Sequence, residues 1–84
     1  MSEVAFDEEL DARGLNCPMP LVKARKQIGI LEPGQTLRVV SPDRGSIKDF
    51  QGWAKIAANI ELLEQETDES QEPTLFLHYV KRVN

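Results

Sequence analysis

The stretch Gly14-Leu15-Asn16-Cys17-Pro18-Met19-Pro20 holds the only cysteine of an 84-residue chain. An apolar helical pattern follows at once through Leu21, Ala24, Ile28 and Leu31. The spacing therefore predicts Cys17 at a helix N-cap, with Pro18 in the first helical position. Pro18 presets a helical φ and gives up an N–H that has no intrahelical partner there, and Pro20 does the same within the first turn. The Met19 N–H between them stays available to the sulfur. Aligned peptide dipoles add partial positive charge at the same place, and helix N-termini are where thiols become thiolates.

Magnitude limits this effect. Lowering a thiol pKa of ~8.5 by two units needs about 2.7 kcal/mol. A helix terminus supplies about 0.3–1 kcal/mol when exposed and up to about 2 when partly buried. Cations would have to add the rest, and Arg13, Lys23, Arg25 and Lys26 are the candidates, because no acid occurs between Arg13 and Lys26. Too low a pKa would blunt the nucleophile, so a modest shift suits sulfur chemistry best. A lone cysteine is often a buried structural residue. Two prolines at a predicted helix start turn the reading toward a reactive thiol.

Length allows one domain, residues 1–84, with a small core. One cysteine excludes an internal disulfide, a Cys-x-x-Cys redox pair and a multi-cysteine zinc site. His78 is the only histidine, so no metal and no cofactor are expected. The N-terminus reads as acidic, without a signal peptide, and no stretch reaches membrane-spanning length. The expected setting is the cytoplasm, without membrane insertion. A net charge of −4 argues against stable nucleic-acid binding. Charge is also unevenly spread: residues 13–26 are only basic, whereas Glu61, Glu64, Glu66, Asp68, Glu69 and Glu72 lie in a stretch without a base. If the fold keeps these regions apart, the molecule is electrically polar and suited to oriented docking.

Elements must position the thiol. Phe6 to Ala12 reads as a first strand with Phe6, Leu10 and Ala12 on one face, and the first helix runs from Pro18 to Gly29 or Leu31. Glu32-Pro33-Gly34-Gln35 is a type II turn by composition. Thr36 to Ser41 is a second strand. After the Pro42–Gly45 loop, Ser46-Ile47-Lys48-Asp49 resembles a capping box. The second helix carries Ile47, Phe50, Ala54 and Ala57 on one stripe with Trp53 beside it, and Asn59 is placed to end it in a left-handed conformation. Ile60 to Thr67 is a third strand and Asp68 to Pro73 a polar loop. Thr74 to Lys81, apolar on both faces, is a fourth strand that is central or covered on its second side. The order β-α-β-α-β-β puts both helices on one face of a four-stranded sheet. The other face is open, and apolar residues there would suit a homodimer or a partner.

The pattern resembles the TusA/SirA-type sulfur-carrier proteins from about Leu10 to Lys81. The resemblance rests on the Gly-Leu-x-Cys-Pro-x-Pro signature at Gly14 to Pro20, on the Pro33-Gly34 turn, and on Ser46-Ile47-Lys48-Asp49-Phe50 ahead of Trp53-Ala54. It implies an α/β (α+β) two-layer sandwich with a mixed sheet, similar to the C-terminal domain of a bacterial translation initiation factor. It also implies a sulfurtransferase-like carrier whose cysteine, here Cys17, accepts sulfane sulfur as a persulfide and passes it on. Pro18, Met19 and Pro20 would shape the site, and Arg13, Lys23 and Lys26 would support the thiolate or docking. The implied partners are sulfur donors and acceptors such as a desulfurase or a rhodanese. Met19 and Asn59 do not identify the branch of sulfur metabolism.

The remaining chemistry-bearing residues read as structural: His78 mid-strand as a hydrogen-bonded histidine, Trp53 and Tyr79 as packing, and Asp43-Arg44-Gly45 as a loop. Competing functions are a non-catalytic interaction module using the open sheet face, an RNA-binding domain, and a one-cysteine redox sensor.

Overall fold

The computed structural model describes residues 5–14, 19–70 and 74–83, with Met19 and Pro20 as backbone only. Cys17 and Pro18 lie outside the described residues, as does the end of the loop expected to reach Pro73. The elements run β1 (Glu8–Asp11), α1 (Met19–Ile30), β2 (Thr36–Ser41), α2 (Ser46–Ile56), β3 (Ile60–Asp68) and β4 (Leu75–Arg82). The sheet order is β1-β2-β4-β3, with β1 parallel to β2 and the other pairs antiparallel. This is the expected mixed four-stranded sheet. The strand with two apolar faces, β4, is central, hydrogen-bonded to β2 on one edge and β3 on the other.

Both helices cover one face. The apolar stripe of α1 (Leu21, Ala24, Ile28 and Leu31) packs with Phe50, Trp53, Ala54 and Ala57 of the second helical segment onto Leu37, Val39, Ile60 and Val80. Helix α1 lies over β1 and β2, and α2 over β3 and β4. The turn before β2 takes the expected form: Gln35 N–H donates to Glu32 O at 3.0 Å, and Gly34 sits at φ 95°. Pro supplies the fixed φ at the second turn position and Gly the positive φ at the third.

Three local expectations are corrected. Strand β1 begins at Glu8, and Phe6, lying before it, loses the alternation that would have placed it with Leu10 and Ala12. Its ring instead meets Tyr79 on the opposite face, with centroids 6.3 Å apart. The capping box is not formed. Gly45 is the N-cap of α2 without a side-chain cap, and the Ser46 hydroxyl donates to Asp43 O at 2.6 Å. Nor does Asn59 turn left-handed. Helix α2 ends at Ala57 in extended backbone, and no non-glycine among the described residues has a positive φ.

Helix α1 has no basic residue in its last turn, although carbonyls there lack intrahelical donors. Arg82 of β4 fills that role from 53 residues away. Its Nη1 donates to Gly29 O at 3.1 Å, and it also reaches Ile28 O and Leu31 O. Arg82→Ala is expected to destabilise the fold by about 1–3 kcal/mol through loss of these charge-assisted bonds. Urea denaturation checks this. A midpoint unchanged from the wild type would show that water replaces the guanidinium without loss.

Two glycines sit inside helices, Gly29 in α1 and Gly52 in α2. A Cβ added at either would meet nothing within 4 Å, and neither has a positive φ. Each therefore costs about 0.5–1 kcal/mol relative to alanine with no local reason inside the fold.

Candidate functional site

The parallel pairing of β1 with β2 brings their carboxyl ends to one end of the sheet. Because β3 runs the same way as β2, with antiparallel β4 between them, β3 also ends there and β4 begins there. The loop leaving β1, the Pro42–Gly45 loop leaving β2 and the β3–β4 connection thus start from the same end, where open α/β sheets commonly place their chemistry. Ala12 is fully buried and its N–H donates to Val40 O at 2.8 Å, which fixes the point where the first loop departs. Gly14 follows at φ 90°. The described helix starts at Met19, the expected first helical residue Pro18 lies outside the described residues, and Cys17 stands two residues before Met19 in the sequence. No acid occupies the first turn of α1, so no side chain of that turn offsets the positive end of the helix dipole.

The four candidate cations separate. Arg13 is committed to Asp11: its Nε and Nη2 donate to the two carboxylate oxygens at 2.9 and 2.8 Å, and its backbone N–H donates to the first at 3.0 Å. This arrangement holds the Asp11 carboxyl down at about 2 and raises the Arg13 guanidinium above its usual range. Arg13 thus carries a neutralising acid that lay just outside the acid-free stretch. Lys23 and Lys26 are exposed on α1, about 6 and 10 Å along the helix axis from Met19. At physiological salt the Debye length is about 8 Å, so Lys26 acts weakly on an anion at the helix start. Arg25 faces the cleft between α1 and α2.

His78 is fully buried and stacks on Phe50, with ring centroids 4.3 Å apart and planes within 9°. Its ring nitrogens lie 2.8 Å from Ser46 Oγ and 3.0 Å from Gln65 Nε2. The network fixes the tautomer. Gln65 Nε2 can only donate, so Nδ1 accepts. Ser46 O–H is given to Asp43 O, so its oxygen accepts from Nε2–H. Gln65 also donates to Ile47 O at 3.0 Å and accepts from Gln51 at 2.9 Å. Burial pushes the His78 pKa down to about 4. The ring is a neutral strut that fastens the start of α2 to β3 and β4. Sequence reasoning placed His78 as structural but missed Ser46 and Gln65 as its partners, since a Ser at a helix start reads first as a cap.

The face of the sheet without helices is not bare. Val40, Leu75 and Tyr79 there are nearly inaccessible. Phe6 lies against Tyr79, Arg38 lies 4.6 Å over Phe6 and pairs with Glu9, and Tyr79 O–H donates to Glu66 at 3.3 Å. Tyr79 and Trp53 stand on opposite faces, so they do not form one aromatic anchor. Among the described residues, no helix is long and apolar enough to cross a membrane.

The family model "Sulfurtransferase TusA" matches residues 8–78. The chain belongs to the TusA family. It is 48% identical over 63 residues to the sulfur carrier protein TusA of Allochromatium vinosum, covering 75% of this chain and 82% of that one. It is 40% identical over 75 residues to a putative sulfur carrier protein of Halobacterium salinarum, covering 89% and 88%. The crystal structure of a SirA-like protein from Desulfitobacterium hafniense superposes with a TM-score of 0.65 at 23% identity, over 88% of this chain and 96% of that one. That likeness gives the TusA-type chain its expected fold: two helices on one face of a mixed sheet.

Proposed function

We propose that the protein is a sulfur-relay carrier in which Cys17 holds the cargo. The Cys17 thiolate attacks the terminal sulfur of a donor persulfide. An S–S bond forms on Cys17, and the donor departs as its own thiolate, so the exchange involves no net redox change. An acceptor thiolate then attacks the sulfane sulfur, and Cys17 leaves as a thiolate. Pro18, Met19 and Pro20 shape the start of the helix, whose dipole favours that leaving group. Lys23 and Lys26 serve docking of donor and acceptor proteins more than they activate the thiol. Membership in a family with named sulfur carriers supports this reading. The observation that carries it is the position of the only cysteine, two residues before a helix whose first turn has no acid.

Intact-mass measurement after incubation with polysulfide, with thiosulfate, or with a cysteine desulfurase and cysteine tests the proposal. The expected result is a reducible gain of one sulfur atom, absent in Cys17→Ser. No adduct from any donor, together with a thiol that resists alkylation in the folded protein, overturns it.

A further inference from the structure

The cleft between α1 and α2, about 610 Å³ in volume, has a composition that the fold itself does not require. Gly29 and Gly52 both line it, and at both the space where a side chain would stand is open. Leu21, Ile28, Trp53 and Ala57 form its apolar lining, and Ile56 stands at its margin 87% exposed. Arg25 and Lys48 border it, with Asp49 as the one acid on either helix. The two helices carry Lys23, Arg25, Lys26, Lys48 and Lys55 against that single acid, and none of the acids of β3 lines the cleft.

We infer that this cleft is a docking groove for a partner protein segment that presents a large apolar side chain flanked by carboxylates. The apolar side chain lies over the two glycines against Trp53 and Ile28, and the carboxylates meet Arg25 and Lys48. Charge selects the occupant: a basic segment meets the like charges of Arg25 and Lys48 at the groove and a further three on the same helices, whereas an acidic one complements them. Position gives the groove its use. Both helices start at the sheet end from which the Cys17 loop departs, and Leu21, at the head of the groove, is two residues past Met19. A segment seated there holds its parent protein beside the loop. The inference rests on the carrier reading for its purpose but not for its test.

Trp53, the only tryptophan, lines the groove and reports occupancy. The 84-residue protein would be titrated with the acetylated peptide Glu-Asp-Phe-Leu-Asp-Glu while Trp53 emission is followed. Controls are the same peptide with lysines for the acids, and one with serines for Phe and Leu. A saturable change with the first peptide is expected, at least tenfold weaker with either control. Gly52→Leu and, separately, Lys48→Glu are each expected to weaken it at least tenfold, with Cys17 still loaded from polysulfide. Equal response to the lysine peptide, or no saturable response up to millimolar peptide, overturns the inference. So does concentration-dependent self-association that moves Trp53 emission without peptide, which would make a second copy the occupant. Failure of the wild type to load from polysulfide, thiosulfate or a desulfurase with cysteine, with a thiol that resists alkylation and peptide binding intact, would sink the carrier reading and leave the groove standing.

Discussion

Phe50→Ala is expected to lose about 3–5 kcal/mol of stability, the range for removing a large buried aromatic side chain. Phe50 is 1% exposed, stacks on His78, and meets Trp53 edge-on at 5.8 Å and 74°. Its ring is the principal apolar contact by which α2 grips the sheet, because the other inward residues of that helix are small or only half-buried. At roughly 0.05–0.15 kcal/mol per residue, an 84-residue domain holds about 4–12 kcal/mol in total. The substitution therefore removes about a quarter or more of the whole. Urea denaturation followed by far-UV circular dichroism measures the loss, and Trp53 emission reports whether α2 detaches. A loss below about 1.5 kcal/mol would mean that the neighbouring side chains close the cavity and that α2 is held elsewhere.

The second large effect is loss of stability in acid. The folded protein holds His78 at about 4, against an ordinary value of 6.5. Folding therefore excludes a proton that the unfolded chain accepts. The contribution is fully present above pH 6.5 and is lost as the pH falls from 6.5 to 4, amounting to about 3 kcal/mol. The geometry gives the same sign, since a proton on Nδ1 would face the donating amide of Gln65. Asp11 also loses its pairing in acid, but between 3.8 and about 2, below the histidine window. In His78→Phe, Ser46 keeps its bond to Asp43 O and Gln65 keeps those to Ile47 and Gln51. The variant is expected to fold and to show a flatter stability profile between pH 6.5 and 4. Equal slopes in wild type and variant would mean that other groups take up the protons.

These two effects mark where the sequence was legible. Periodicity gave α1 its core stripe, and it gave β2 its bounds, because Leu37, Val39 and Val40 have no exposed alternative. The two-faced pattern of β4 marked it as central or covered on its second side, and it is central. Pro33-Gly34 announced its turn through backbone chemistry alone. What failed was polar and long-range. Ser46 had a local use, as a cap, and a distant one, as the acceptor for a histidine 32 residues away; the distant one won because it satisfies a fully buried ring. Asn59 was not needed as a left-handed cap because the chain leaves α2 directly in extended form. At the site, the acid-free stretch was visible but Asp11, two residues before Arg13, was not counted against it. Gly29 and Gly52 lie 23 residues apart in the chain, and only the paired helices put them in the same cleft.

The strand order carries a consequence for synthesis. Strands β2 and β3 each pair with β4, and not with each other. While the ribosome has delivered β1 through β3 but not residues 75–82, β3 has no hydrogen-bonding neighbour and Arg82 has not reached the carbonyls of α1. The nascent chain can hold only a β1-α1-β2 unit with an uncapped helix and half a core. Emergence of one eight-residue segment then supplies a double set of strand pairings, the centre of the core and the helix cap together. Folding of the whole sheet is thus gated by the arrival of β4, as a single late event.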